Sequence, residues 1–211
     1  RAALLGAKVA LVEGDRMGGT CVNRGCVPKK VMWYAASIAE TLKYMAPGYG
    51  FDVKLNGFSW SSLVTKRDQY IQRLNGLYAN QLDRNKITVL NGFGRFVDQH
   101  TVSVAGKEYT AERILIAVGG EPLLPPVPGA ELGITSDGFF ALKQQPKKVC
   151  VIGSGYIGVE LAGVLNALGS DVTLIARGPC VLRNFERSLS LQLMQQMKDD
   201  GIKFVVKQEV A

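Results

Sequence analysis

Hydrophobic positions along the 211-residue chain alternate between short unbroken runs and longer stretches at helical spacing. Arg1-Ala2-Ala3-Leu4-Leu5 reads as the end of a helix, with Gly6 as its stop. Residues 8–12 form an apolar run of the kind seen in buried strands, and Glu13 ends it. Together they read as the second half of a β-α-β unit whose first strand and turn would lie before Arg1. Gly18 to Cys26 reads as a loop. Pro28 suits the first turn of a helix, predicted to run to about Met45. A second amphipathic helix is predicted over 59–85. Short strands are predicted at 87–90, 101–104 and 108–109, with Ala105-Gly106-Lys107 as a turn, and an apolar strand at 113–118.

The stretch from Gly119 to Pro128 holds four prolines and two glycines and marks the clearest boundary in the chain. Beyond it the period switches regularly. Strands are predicted at 149–152, 172–176 and 203–206, and helices at 156–168 and 188–200. Gly169 and Gly201 stand as helix stops. The expected fold class is α/β, with two doubly wound, Rossmann-like domains. The first domain (1–120) carries an added small antiparallel β-meander, residues 121–146 form a linker, and 147–211 form the second domain.

Composition narrows the class. Hydrophobic residues make 47% of the chain and charged residues 20%, which excludes a disordered polymer. No apolar run reaches the roughly 18 residues of a spanning helix, so no membrane association is expected. Four cysteines are too few for a disulfide scaffold, and no secretory pattern opens the chain; a cytoplasmic location is expected, with an organellar form as the alternative. The net charge of +7 favours anionic ligands. Its basic residues occur as single charges or pairs such as Lys29-Lys30, without the long basic run expected of a nucleic-acid binder.

Candidate chemistry begins at Gly153-Ser154-Gly155-Tyr156-Ile157-Gly158. This G-x-G-x-x-G follows a predicted strand and opens a predicted helix. In that context Gly153 permits the tight turn, Gly155 lets backbone approach a pyrophosphate, and Gly158 lets helix and strand pack closely. The helix N-terminus offers unpaired N–H groups to the anion. At the end of the next strand, where an NAD site places an acidic residue, stands Arg177, with Arg183 six residues on. Arginines suit a 2′-phosphate through forked, charge-assisted hydrogen bonds, so this domain should prefer NADP. Glu13 takes the opposite part in the first unit, where a carboxylate suits an unphosphorylated ribose. Different ribose preferences point to FAD in one domain and NADPH in the other.

Cys21 and Cys26 flank Val22-Asn23-Arg24-Gly25 next to a predicted helix N-terminus, a setting that favours thiolate. A redox-active dithiol is expected rather than a metal site. Cys150 and Cys180 lie in the other domain, and the sole histidine, His100, sits in a polar turn and reads as a surface residue. Cys150, in an apolar strand, reads as packing. Cys180 receives no reading.

The segment from Gly18 to Lys30, GGTCVNRGCVPKK, resembles the redox motif of the FAD-dependent pyridine nucleotide–disulfide oxidoreductases. The lysine pair followed by Val31-Met32-Trp33 is most similar to members that reduce glutathione disulfide with NADPH. The likeness continues through Ser136-Asp137-Gly138-Phe139-Phe140, Gly153 to Glu160, and Arg177 with Arg183. It implies that Cys21 attacks the substrate disulfide while Cys26 faces the flavin, the two forming the redox disulfide. Glu13 would hold the FAD ribose, Thr20 and Cys21 would line the flavin site, and the Gly94 backbone would meet the adenine. Lys29 would sit beside the flavin and pair with Glu160. Tyr156 would gate the nicotinamide pocket, Ser154 and Ile157 would contact NADPH, and Tyr78 would touch glutathione disulfide.

The chain also departs from the family pattern. Arg24 stands where a small apolar residue is usual, Val118 where threonine is usual, and Gly158 where NADPH-using members often have alanine. The resemblance implies further segments: an FAD fingerprint before Arg1, and a second FAD segment, a dimer-interface domain and a catalytic histidine after Ala211. The expected native unit is a homodimer whose active site takes that histidine from the partner, and residues 1–211 alone are expected to be inactive. Other expectations are a trypanothione, mercuric or dihydrolipoamide enzyme of the same family, or a flavin-binding redox sensor without turnover.

Overall fold

In the computed structural model, which describes residues 1–210, the alternation beyond residue 147 builds a three-stranded parallel sheet. Its strands are β6 (Lys148–Ile152), β7 (Asp171–Ala176) and β8 (Lys203–Val206), in that order. Helices α6 (Tyr156–Ala167) and α7 (Arg187–Asp199) make the crossovers. Register places Val151 opposite Leu174, and Leu174 opposite Phe204. Because side chains alternate along each strand, these residues share one face with Val172 and Ala176. Val172 and Leu174 are fully buried, each such side chain contributing about 1.5–3 kcal/mol. The opposite face carries Cys150, paired with Thr173, and Ile152, paired with Ile175. Cys150 is exposed, so the packing role expected of it is wrong. An apolar run shows that a segment can be a strand, but not which of its faces is covered.

The same core receives residues from earlier in the chain. Met32 and Ala36 come from α2 (Cys26–Glu40), Trp60 and Val64 from α4 (Trp60–Arg84), and Phe139 and Phe140 from α5 (Ser136–Ala141). The Trp60 and Phe139 rings meet edge to face at 6.2 Å, and Trp60 Nε1 donates to the Leu142 carbonyl at 3.2 Å. Arg67 is buried and donates to the Phe140 carbonyl at 2.8 Å, which supplies the partner a buried guanidinium requires. By its contacts this compact unit comprises Lys29–Arg67 and the chain from Pro122 onward.

The other compact unit comprises Arg1–Pro28 and Asp68–Glu121. Here β1 (Ala10–Glu13) pairs in parallel with β2 (Thr88–Asn91). The expected meander is β3 (Gly94–Phe96), β4 (Thr101–Val104) and β5 (Lys107–Thr110), antiparallel in that order. Ala105 and Gly106 join β4 to β5 with φ of 49° and 78°, the doubly left-handed turn that matches strand twist. Strand β3 has no counterpart in the sequence reading, since three residues containing a glycine show no period.

Four other expectations fail. Strand β1 was expected to be buried, yet Leu11 and Val12 are exposed among the described residues. Residues 113–118 form no strand, and Leu115 is 91% exposed. A strand needs a ladder partner as well as apolar side chains, and no described strand runs beside this segment. The segment Gly18–Cys26 is not a loop but contains α1 (Gly19–Arg24), and α2 begins at Cys26. Helix α2 stops at Glu40, followed by a wider π turn at Thr41–Met45 and the short α3 (Ala46–Gly48). Among the described residues no helix is long and apolar enough to cross a membrane.

Candidate active site

Gly25 joins α1 to α2. A Cβ at Gly25 would lie 2.9 Å from the Thr20 carbonyl oxygen and 3.2 Å from the Cys21 Cα. Only glycine fits so close an approach to Thr20 and Cys21, and Cys26 follows it directly in the chain. Both cysteines are exposed. Beneath them Asn23 is buried, and its amide Nδ2 donates to the carbonyls of Met17 at 3.1 Å and Gly19 at 2.9 Å. Its Oδ1 accepts from Asn75 Nδ2 at 3.0 Å, and the same Asn75 nitrogen lies 2.7 Å from the Met17 carbonyl. This satisfied amide pair ties the cysteine segment to α4. Asn75 was absent from the sequence reading, because a polar residue within an amphipathic helix gives no sign of what it faces. Tyr78 lies three residues further along α4 and is exposed. Arg24, the departure from the family pattern, forms an ion pair with Asp15.

At the carboxyl end of β1, Glu13 Oε1 accepts the Asp15 N–H at 2.9 Å. The Gly92 N–H donates to the Glu13 carbonyl at 2.8 Å, and a Cβ on Gly94 would lie 3.5 Å from Val12 Cγ1. Glu13 and Gly94 are therefore brought together beyond the carboxyl ends of parallel strands, the position where α/β sheets bind nucleotides. Thr20 lies in α1 beside Cys21.

In the other unit, Lys29 Nζ and Glu160 Oε1 meet at 2.6 Å, both side chains half-buried. Glu160 is set by α6, whose first turn is the glycine motif. Gly153 has φ +111°, and no atom would crowd a Cβ at Gly153 or Gly155, so an open backbone cradle lies over the helix start. Such a cradle fits a pyrophosphate. Gly158 is the reverse case: a Cβ there would collide with the Gly153 carbonyl oxygen. Gly158→Val should therefore push the turn off the helix at about 1–3 kcal/mol and lower the melting midpoint by several degrees, measurable by thermal unfolding. Tyr156 and Ile157, at the start of α6, are exposed, and Ser154 is half-buried.

Arg177 follows β7 directly and pairs with Glu209 at 3.5 Å, both side chains well exposed. Arg183 is exposed in the loop that leads to α7. That loop is tied down, since the Leu182 N–H donates to the Ser154 carbonyl at 2.8 Å. Leu182 and Ser190, which hold this loop, were also missed by the sequence reading, having no motif of their own. His100 is exposed, with Nδ1 3.2 Å from the Ala111 carbonyl. Cys180 is half-buried against the core. Among the described residues no cluster of three or more histidine, cysteine or acidic side chains could hold a metal ion.

Comparison with known proteins agrees with this geometry. Residues 1–211 match the family described as pyridine nucleotide-disulphide oxidoreductase. A glutathione reductase from a Nostoc species is 44% identical over 210 residues, covering 100% of this chain and 46% of that protein. A glutathione reductase from Yarrowia lipolytica is 46% identical over 231 residues, covering 99% of this chain and 49% of that protein. The chain thus spans about half the length of the curated relatives it matches. Among solved structures, the Cu(II) complex of an HOCl-induced flavoprotein disulfide reductase from Escherichia coli superposes with a TM-score of 0.85 at 26% identity. That superposition covers 99% of this chain and 45% of the other. With its cysteine pair, glycine cradle and parallel sheets all inside a family match that runs the length of the sequence, the chain belongs to the pyridine nucleotide-disulphide oxidoreductase family.

Proposed function

We propose that this chain is part of an NADPH-dependent glutathione-disulfide reductase that uses FAD and a Cys21–Cys26 redox pair. The likeness to two glutathione reductases over the whole chain carries this reading. When bound, the two cofactors supply the electron pair that NADPH gives up as hydride and FAD passes on. In this reading Glu13 and the Gly94 backbone hold the adenosine end of FAD, and residues 1–120 form its domain. The open turn at Gly153 and Gly155 takes the NADPH pyrophosphate, and Arg177 and Arg183 take its 2′-phosphate. Lys29, held by Glu160, places a positive charge one turn along α2 from Cys26. Tyr156 covers the nicotinamide pocket.

The exchange step belongs to the cysteines. The Cys21 sulfur attacks one sulfur of the substrate disulfide and releases the first glutathione. Cys26 then attacks Cys21, closing the protein disulfide and releasing the second. Tyr78 contributes to the substrate site. The native unit is a homodimer, with a histidine from the partner protonating the leaving thiolates. Turnover of the full-length protein with NADPH and a panel of disulfides tests the reading. Glutathione disulfide should be reduced with a kcat/KM at least about tenfold above cystine, trypanothione disulfide and lipoamide. Preference for another disulfide, or no turnover with any, would overturn it.

A further inference from the structure

Four non-glycine residues have positive φ among those described: Lys86, Ala105, Leu182 and Lys207. Lys86, Ala105 and Lys207 stand in turns at the ends of regular elements. Leu182 differs, being a bulky γ-branched residue at φ 52° inside the loop between Arg177 and α7. A left-handed leucine is strained, and such strain persists only where the surroundings over-determine it.

The surroundings of Leu182 do so. Its N–H donates to the Ser154 carbonyl at 2.8 Å, within the glycine turn. Its carbonyl accepts from the Phe185 N–H at 2.8 Å and from the Ser190 hydroxyl at 3.2 Å. Ser190 is buried at 2% exposure in α7, and Val181, just before Leu182, is fully buried. A strained residue is thus latched on one side to the phosphate turn and on the other to the next helix. The residue that follows it is Arg183.

We propose that Leu182 is a positioning residue for nucleotide selectivity, its latched left-handed turn fixing where the Arg183 side chain leaves the backbone. The ligand chemistry concerned is a 2′-phosphorylated adenosine, so the inference rests on the reading of Arg177 and Arg183 given above. The bond to Ser154 makes the turn that receives the pyrophosphate and the loop that receives the 2′-phosphate one hydrogen-bonded piece. The spacing between the two anion sites is then built in before the ligand arrives, which favours the ligand carrying both phosphates.

The latch can be loosened without unfolding the protein. Leu182→Gly keeps the backbone groups that form the latch but gives residue 182 the freedom of several backbone conformations, so the direction in which Arg183 leaves the chain is no longer fixed. Ser190→Ala leaves the Leu182 carbonyl still paired with Phe185. Both variants, in the full-length protein, are to be titrated calorimetrically with adenosine 2′,5′-bisphosphate and with adenosine 5′-monophosphate. The expected result is a fall of about fivefold to tenfold in affinity for the bisphosphate, with the monophosphate within twofold of the parent and an unchanged melting midpoint for Ser190→Ala. An unchanged ratio of the two affinities in both variants overturns the proposal. So does an equal loss for both ligands, which would mean that the latch serves only the fold. An Arg177→Ala, Arg183→Ala double variant is the reference. If it binds the bisphosphate as the parent does, the 2′-phosphate reading itself fails, and the selectivity role of Leu182 fails with it.

Discussion

Replacing Cys21 with serine in the full-length protein should reduce turnover of glutathione disulfide by more than about 1,000-fold while leaving reduction of a dye acceptor by NADPH intact. The reason lies in the chemistry of exchange. A serine hydroxyl does not attack a disulfide sulfur at neutral pH, and Cys26, in this reading the thiol on the flavin side, does not take over the attack on substrate. Serine differs from cysteine by one atom and sits in the same exposed position, so the Asn23–Asn75 pair beneath it should be undisturbed. Folding and cofactor retention are therefore expected to match the parent. The check is a parallel assay of disulfide and dye reduction on one preparation. Residual disulfide turnover above a few per cent would remove Cys21 from the attacking role. Equal loss of both activities would place its contribution in cofactor binding instead.

Replacing Arg177 and Arg183 together with alanine should raise the KM for NADPH by about 100-fold or more and change that for NADH only a few-fold. Each charge-assisted hydrogen bond contributes about 1.5–3 kcal/mol, and each 1.4 kcal/mol is tenfold in affinity. Both side chains are exposed, and the ion pair between Arg177 and Glu209 is on the surface, where such pairs contribute little to stability. The loss should therefore appear in nucleotide binding and leave the melting midpoint within a few degrees. Equal losses for the two nucleotides would show that the arginines serve the common part of the cofactor and not its 2′-phosphate.

Much of the second β-α-β-α-β unit was legible because its signals are local. Period-two and period-3.6 patterns differ within a few residues, and Gly169 and Gly201 take the positive φ expected of helix stops. The strand at 203–206 and the helix starting at Tyr156 fall where the pattern places them. The glycine turn was legible for the same reason: Gly153 needs its positive φ, and Gly158 needs its missing Cβ, whatever lies elsewhere in the chain. The Lys29–Glu160 pair was different. It joins residues 131 apart, and only the family likeness named it.

By itself, then, the sequence determined where the chain extends, coils and turns beyond residue 147, which segment carries two cysteines, and which turn can receive a phosphate. These follow from backbone sterics and side-chain period, which neighbours in sequence impose. Tertiary structure alone decided which faces are covered. It exposed Cys150 on the open side of β6, left residues 113–118 without a ladder, and wound the cysteine segment into α1, with Gly25 packed close against Thr20 and Cys21. It also joined Asn23 to Asn75, 52 residues away, and Leu182 to Ser154 and Ser190. Burial and hydrogen bonding depend on which distant groups arrive, and no local pattern records the arrival of a partner.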